Sequence, residues 1–316
     1  MSRNLITGGL GFLGCYLARK LVEKGEEVVV FDLAMGSKLI EDIKDKLKLV
    51  RGDLTDWTQV LAAVGDNDID CIYHLAAFTP PLSEQNLAAT FKVNVQGTIH
   101  VLEATRLLKV GTVIFVSTLA TYGLGVPHLT NEDVPQQPRN MYGTTKLCCE
   151  RLGEQYHRKY GVNFRGVRFP PVLGAGRKDS SQSAFSYLTI KETVLGRPYT
   201  IYVENETRMP LIYVKDAVGS LISLKEADEG RLKRRIYNIH GFSFQAAELA
   251  TEVRKRLPEA RLDFKPDAAM LDSINNWPTL DDARARDEWG WQPEYELPES
   301  VEDFIGEIRA NPSAYE

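Results

Sequence analysis

Tyr142 and Lys146 stand four residues apart, a spacing that places two side chains on one face of an α-helix. An ammonium group beside a tyrosine hydroxyl favours the phenolate, and so lowers the tyrosine pKa toward working pH. Such a tyrosine can take the proton of an alcohol while a hydride leaves the adjoining carbon. Ser117 and Thr118 end a β-rich run upstream, and their hydroxyls can hold the substrate oxygen. By itself the tyrosine–lysine pattern is typical of exposed helices, so its meaning depends on the segments around it.

A glycine-rich turn near the start of the chain suggests what accepts the hydride. Gly8, Gly11 and Gly14 follow a β-rich run at 4–7 and precede a helical pattern that extends to about residue 23. Small residues let the backbone turn tightly and approach a pyrophosphate, and the helix directs free N–H groups at it. The turn therefore predicts a dinucleotide site.

Asp32 indicates which dinucleotide binds. It follows the β-rich run 27–31, and it lies 18 residues after Gly14. A carboxylate at this place can accept both hydroxyls of the adenosine ribose, and it repels a 2′-phosphate. We therefore expect NAD rather than NADP, with Lys38 as the one nearby basic residue that argues the other way.

The elements that must position these residues alternate between short β-rich runs and helical patterns. Strands are predicted at 4–7, 27–31, 47–51, 70–75, 112–117, 164–168 and 235–239. Helical periodicity between them, as at 86–108, implies crossover connections and a parallel sheet. The expected fold is α/β, a doubly wound parallel Rossmann sheet.

The second half of the chain predicts a smaller, discontinuous substrate domain. Residues 170–207 are richer in Gly, Pro, Ser and Thr than the first half of the chain. This composition predicts loops and helices that lie over the carboxyl edge of the sheet. We assign 1–169 to the NAD-binding domain, with a returning strand near 211–240. The substrate-binding domain takes 170–210 and 241–316.

Composition excludes several classes of function. The 316 residues carry a net charge of −5, which argues against a nucleic-acid partner. The four cysteines show no metal-ligand spacing, so no metal is expected. No apolar run approaches the ~20 residues of a membrane span, and no signal peptide opens the chain, so we expect a cytoplasmic protein and no membrane partner.

Taken together, these motifs resemble the extended short-chain dehydrogenase/reductase family, the NAD-dependent epimerase/dehydratases. The resemblance covers essentially the whole chain, and its segments are 7–14, 31–33, 52–54, 74–77, Asn94, 116–118, 142–146 and 168–172. It implies an acid/base role for Tyr142, a second role for Lys146 on the nicotinamide ribose, and Thr118 as the third member of a triad. The cofactor residues implied are Gly8, Gly11, Phe12, Leu13, Gly14, Asp32, Asp53, Leu54, Leu75, Ala76, Ala77, Asn94, Tyr142, Lys146, Phe169, Pro171 and Val172.

The resemblance also implies a homodimer. Helices predicted at 85–108 and 142–160 look like those that build a four-helix dimer interface in the family.

The substrate is the open question at this stage. Segments 208–217, 275–282 and 288–295 resemble the short-chain type of L-threonine dehydrogenase, whereas the loop 169–177 resembles that of sugar epimerases. Met209 stands where sugar-nucleotide epimerases usually carry an arginine. The predicted substrate residues are Thr79, Thr118, Tyr142, Arg177, Arg208 and Trp277. Either arginine could pair with a carboxylate or a phosphate.

Three functions follow from these observations. The first is an NAD-dependent dehydrogenase that oxidises a secondary alcohol on a small polar, carboxylate-bearing molecule, such as L-threonine or a hydroxy or sugar acid. The second is a sugar-nucleotide epimerase, which returns the hydride to the opposite face. The third is a non-catalytic NAD-binding protein, against which the intact Thr118, Tyr142 and Lys146 argue.

Overall fold

A parallel sheet of seven strands runs through the computed structural model, which describes residues 2–268, 271, 274 and 277–315. The strands of this sheet are β1 (Arg3–Thr7), β2 (Glu27–Asp32), β3 (Lys48–Arg51), β4 (Cys71–His74), β5 (Thr112–Thr118), β7 (Phe164–Phe169) and β11 (Ile236–Asn238). Their order is β3-β2-β1-β4-β5-β7-β11, and every neighbouring pair is parallel. The predicted Rossmann sheet is confirmed.

Burial explains why these runs form central strands. All four residues of β4 and all six of β7 are buried, as in parallel strands that helices cover on both faces. The longer helices are α1 (Phe12–Glu23), α2 (Trp57–Gly65), α5 (Gly97–Leu108), α6 (Met141–Tyr160), α7 (Ala184–Val194), α8 (Val214–Glu226), α9 (Ala246–Arg256) and α11 (Leu297–Ala310). The shorter helices are α3 (Leu82–Gln85), α4 (Leu87–Phe91), α10 (Ala283–Trp289) and α12 (Pro312–Tyr315), with a π-helical segment at Lys92–Gln96 and 3-10 segments at Lys38–Lys46, Leu119–Thr121 and Glu229–Arg231.

Smaller sheets lie beyond the carboxyl edge. Their strands are β6 (Leu129–Thr130), β8 (Val172–Leu173), β9 (Tyr199–Ile201), β10 (Arg208–Tyr213), β12 (Phe242–Gln245), β13 (Leu262–Phe264) and β14 (Thr279–Leu280). A separate core joins β8, β9, β10, β12 and β13 to α7, α9 and α11, with Phe185, Phe244 and Phe304 among its fully buried side chains. The domain boundaries given above stay a prediction.

The topology brings the chemical residues to one edge. Thr7, Asp32, Thr118 and Phe169 are the last residues of β1, β2, β5 and β7. Carboxyl ends of parallel strands meet at one edge, where open α/β sheets bind ligands. Within the described ranges, no helix has the length and apolar content that crossing a bilayer requires.

Candidate active site

The turn after β1 leaves no room for side chains at two of its glycines. Gly8 has a φ of +68°, and a Cβ added to it would lie 2.8 Å from Cα of Ala76. A Cβ on Gly14 would lie 2.5 Å from the carbonyl oxygen of Gly8. The helix α1 starts at Phe12 with no side-chain cap, which leaves its first backbone N–H groups for an anion. This narrow backbone cradle fits the pyrophosphate of a dinucleotide.

Asp32 closes β2 beside this turn, and backbone groups hold its carboxylate. Oδ2 accepts a hydrogen bond from the Leu10 N–H at 3.0 Å, and Oδ1 accepts one from the Ala34 N–H at 3.0 Å. The ammonium of Lys38 donates instead to the carbonyl oxygen of Ser313, at 3.0 Å. The adenosine end of the site therefore presents a fixed carboxylate, while the nearby lysine is engaged by the C-terminal segment.

Thr118 and Tyr142 meet where β5 ends and α6 begins. Asn140 caps the helix by accepting a hydrogen bond from the Gly143 N–H at 2.7 Å. Thr118 faces the Tyr142 phenol closely enough to lower the pKa of that phenol. Lys146 lies one turn further along α6, buried, with its Nζ 5.9 Å from the centroid of the Tyr142 ring. The structure thus brings together the three residues that spacing and resemblance suggested.

The effect of the lysine on the tyrosine stays a prediction, because burial and Thr118 are the influences found on the pKa of Tyr142. Burial raises this pKa above its ordinary value, and the neighbouring Thr118 offsets the rise only in part. Lys146 directs its ammonium to the carbonyl oxygen of Val116 at 2.8 Å. Burial lowers the pKa of Lys146 itself to about 8. Loss of hydration is therefore the largest influence on both pKa values.

The hydroxyl of Ser117 belongs to the interior. It donates to Oε1 of Glu150 at 2.5 Å, and the same carboxylate pairs with the guanidinium of Arg168 at 2.7 Å. Both partners of that ion pair are almost fully buried. The predicted catalytic role of Ser117 is corrected accordingly, because a hydroxyl that satisfies a buried carboxylate is not free to hold a substrate oxygen. Thr118 alone remains for that task.

The carboxyl edge opens into a cleft of about 1610 Å³. Predicted cofactor residues on its wall are Gly8, Gly11, Phe12, Leu13, Gly14, Asp32, Asp53, Leu54, Leu75, Ala76, Ala77, Tyr142, Phe169, Pro171 and Val172. Predicted substrate residues on its wall are Thr79, Thr118, Tyr142, Arg177 and Trp277. Lys146 does not line the cleft, but its ammonium donates to the carbonyl oxygen of Val116, which does.

Besides Lys146, two predicted site residues fall outside the cleft wall. Asn94 accepts a hydrogen bond from the Phe78 N–H at 2.7 Å and donates to Oγ1 of Thr145 at 3.0 Å, so it ties the loop after β4 to α6. It positions the wall and does not line it, which corrects its assignment as a cofactor contact. Arg208 begins β10 opposite Gln245 and is exposed. Its predicted substrate contact is corrected because that strand end does not form part of the cleft.

Arg177 lines the cleft with its guanidinium already engaged. It forms an ion pair with Asp179, in which Nη2 lies 3.0 Å from Oδ1. The same nitrogen donates to the hydroxyls of Ser181 at 2.8 Å and Ser183 at 2.7 Å, and the group lies over the Tyr187 ring. A buried arginine satisfied in this way would give up its carboxylate partner to bind a substrate anion. The structure brings Arg177 to the cleft, and its contact with the substrate stays a prediction.

Sequence reasoning missed four charged residues on the wall, namely Glu84, Arg139, Lys178 and Asp179. Glu84 accepts hydrogen bonds from the backbone N–H groups of Met141 at 3.0 Å and Tyr142 at 3.2 Å. Arg139 also lines the cleft, and within the described chain no hydrogen bond or ion pair engages its guanidinium. Its place three residues before Tyr142 could have marked it. Nothing in the sequence brings Glu84 to the start of α6.

Comparison with known proteins agrees with this geometry. The chain belongs to the NAD dependent epimerase/dehydratase family, whose model matches residues 4–239. It is 31% identical over 309 residues to the mitochondrial L-threonine 3-dehydrogenase of Bos taurus, covering 96% of this chain and 82% of that protein. Of the segments that carried the threonine dehydrogenase resemblance, Asn275 and Asn276 lie outside the described residues.

Solved structures of proteins named L-threonine dehydrogenase are also similar to this chain. A GalE-like L-threonine dehydrogenase from Cupriavidus necator, in its holo form, superposes with a TM-score of 0.90 at 28% identity, covering 97% of this chain and 99% of that one. A monomeric L-threonine 3-dehydrogenase from a metagenome superposes with a TM-score of 0.88 at 28% identity, covering 97% and 99%. The family and these relatives identify an NAD-dependent oxidoreductase.

Proposed function

We propose that this protein is a dehydrogenase that oxidises the secondary alcohol of a small, carboxylate-bearing molecule, such as L-threonine or a hydroxy or sugar acid. The observation that carries the proposal is the juxtaposition of Thr118 and Tyr142 on the wall of a cleft that begins at the glycine turn. The similarity to proteins named L-threonine dehydrogenase supports the dehydrogenase over the epimerase.

Residues already described fit the cofactor. The cradle at Gly8 and Gly14 would hold the pyrophosphate, Asp32 would accept the adenosine ribose hydroxyls, and Val172 would lie against the nicotinamide. The carboxylate at Asp32, with Lys38 engaged elsewhere, favours NAD over NADP. When bound, NAD supplies the acceptor for the hydride.

The chain's own residues manage the proton. Thr118 would hold the substrate oxygen, and Tyr142 Oη would take the hydroxyl proton as the C–H electron pair leaves and the C=O bond forms. Burial raises the pKa of Tyr142, so only its ionised form can take the proton, and the proton must pass on to solvent before the next turnover. Lys146, fixed on the Val116 carbonyl oxygen, keeps α6 against β5 and so maintains the contact between the two hydroxyls.

We also propose the homodimer that the sequence predicts. Leu87 and Phe91 on α4 and Tyr160 at the end of α6 are large apolar side chains left exposed, on the helices expected at the interface. Exposed apolar groups on adjoining helices are typical of protein–protein contacts. Because one similar structure is described as monomeric, sedimentation equilibrium is the test, and a monomer at micromolar concentration would refute the dimer.

A substrate panel tests the activity. NADH formation is followed with L-threonine, other β-hydroxy amino acids, hydroxy acids and sugar acids, and conversion of UDP-sugars is measured in parallel. Turnover of a carboxylate-bearing alcohol with release of NADH supports the proposal. Conversion of a UDP-sugar with no turnover of any panel member would establish the epimerase instead.

A further inference from the structure

Four cationic side chains line the cleft, and they differ in what already engages them. Lys38 donates to the Ser313 carbonyl oxygen at the adenosine end, and Arg177 is paired with Asp179. Arg139 and Lys178 are exposed and, among the described residues, have no hydrogen-bond or ion-pair partner. The cleft therefore offers a substrate anion only two unengaged cations.

Of these two, Arg139 belongs to a segment that adjoins the reacting groups. It lies in the segment that leads into α6, three residues before Tyr142, and its aliphatic stem lies beside Gly123. The backbone N–H of Gln137 donates to the carbonyl oxygen of Tyr122 at 3.0 Å, which ties this segment to the one that follows Thr118. Lys178 sits instead in the loop between β8 and α7.

The N-terminus of α6 cannot bind the substrate anion instead of Arg139. Its first N–H groups, those of Met141 and Tyr142, already donate to Glu84, and the Gly143 N–H donates to the cap Asn140. The positive end of the helix is thus satisfied by protein groups. A planar guanidinium is also the side chain best suited to a carboxylate, because it forms two parallel hydrogen bonds.

We propose that Arg139 is the specificity-determining residue that binds the carboxylate of the substrate while Thr118 and Tyr142 hold its hydroxyl. This inference rests on the proposed function, since it assigns the carboxylate-binding group of that same site. It replaces Arg177 and Arg208, which the sequence suggested for this role.

Binding to the NADH-loaded, full-length protein tests the inference without turnover. Calorimetric titrations use L-threonine, L-threoninamide (which lacks the negative charge), acetate and UDP. We expect Arg139→Met to weaken binding of the carboxylate probes about 10- to 100-fold, the range of a charge-assisted hydrogen bond. The affinity for L-threoninamide should change little in Arg139→Met. Arg139→Lys should restore part of the lost affinity for the carboxylate probes.

Lys178→Met is the matched control, since it removes the other unengaged cation and should leave carboxylate binding within about twofold, as for an exposed charge without a partner. Unchanged NADH affinity and thermal midpoint show that each variant is folded. The inference is overturned if wild type binds neither carboxylate, if Arg139→Met binds them as wild type does, or if Lys178→Met carries the loss. UDP binding that depends on Arg139, without carboxylate binding, overturns it in favour of a phosphate site.

Hydride transfer is measured separately on the same samples. Arg139-dependent binding of L-threonine or acetate without NADH formation from any carboxylate-bearing alcohol would leave the assignment of Arg139 standing and refute the proposed dehydrogenase. NADH formation that is equally fast in Arg139→Met and in wild type would support the dehydrogenase and refute the assignment of Arg139.

Discussion

Lys146 donates a hydrogen bond of 2.8 Å to the carbonyl oxygen of Val116, two residues before Thr118 on β5. The bond crosses from the helix that carries Tyr142 to the strand that carries Thr118. A buried donor is costly to leave unpaired, so this contact keeps α6 in a fixed position against β5. The catalytic geometry proposed here is therefore a property of the β5–α6 pairing and not of the Tyr142 segment alone.

Replacing Tyr142 with Phe should remove proton transfer and leave cofactor binding intact. The ring and its packing stay, while the Oη that contacts Thr118 is lost. We expect kcat for alcohol oxidation to fall by about 10²- to 10⁴-fold, the usual range of general acid–base catalysis. Steady-state rates and NADH fluorescence titrations measure the two effects. Retention of the wild-type kcat would rule out Tyr142 as the acid/base.

The two directions of the reaction should respond differently to pH. Burial raises the pKa of Tyr142, so near neutral pH its phenol is protonated. Oxidation needs the phenolate, hence its kcat should rise as the pH increases, whereas ketone reduction needs the phenol and should stay level at every pH below the raised pKa. His74 adds no change over this range, because burial lowers its pKa to about 3. Profiles that are flat in both directions would contradict this account.

Removal of Glu150 should destabilise the fold far more than removal of an exposed acid. Glu150 and Arg168 form a fully buried pair 2.7 Å apart, and Glu150→Ala leaves the guanidinium without it. We expect the free energy of unfolding to fall by about 3–5 kcal/mol. Asp287→Asn is the control, since Asp287 and Lys233 are 3.9 Å apart and exposed. It should cost less than about 1 kcal/mol.

Urea denaturation of the cofactor-free protein measures both of these variants. Equal decreases in the free energy of unfolding for Glu150→Ala and Asp287→Asn would show that the Glu150–Arg168 contact does not support the strand that ends in Thr118.

A side chain at Gly8 should weaken NAD binding specifically. Gly8→Ala strains a φ of +68° and puts a Cβ 2.8 Å from Ala76 Cα, which disturbs the pyrophosphate cradle. Gly25 is the matched control, because its φ of +75° is similar but a Cβ there would meet no atom within 4 Å. Each substitution should cost about 1–2 kcal/mol of stability from the backbone. Only Gly8→Ala should weaken NAD affinity, by at least about tenfold.

Titration of NAD by calorimetry distinguishes the two glycine variants. Loss of affinity in Gly25→Ala as large as in Gly8→Ala would mean that general destabilisation, and not the cradle, controls binding.

The residues that the sequence located correctly are those whose role depends on local geometry. Gly8 and Gly14 were found because a strand–turn–helix segment dictates small residues, and Tyr142 with Lys146 because helical spacing sets them on one face. The seven strands of the parallel sheet likewise followed from alternating patterns, whereas their order came from the structure.

The residues that were misplaced depend on partners distant in the fold or on burial. Ser117 looked free beside Thr118, but its acceptor Glu150 is 33 residues away along the chain. The Tyr142 pKa reflects loss of hydration, which a spacing does not report. Arg177 differs, since its partner Asp179 lies only two residues further on and could have been considered.

The most direct test of the dehydrogenase follows one hydrogen atom. The wild-type protein is given NAD and L-threonine deuterated at the carbon that bears the hydroxyl, in parallel with the correspondingly deuterated hydroxy and sugar acids, and the released cofactor is analysed by mass spectrometry. Our account predicts monodeuterated NADH in stoichiometric amount with at least one of these alcohols, and its loss in Tyr142→Phe. Absence of deuterated NADH with every member, together with deuterium retained in the product of a UDP-sugar, would contradict it.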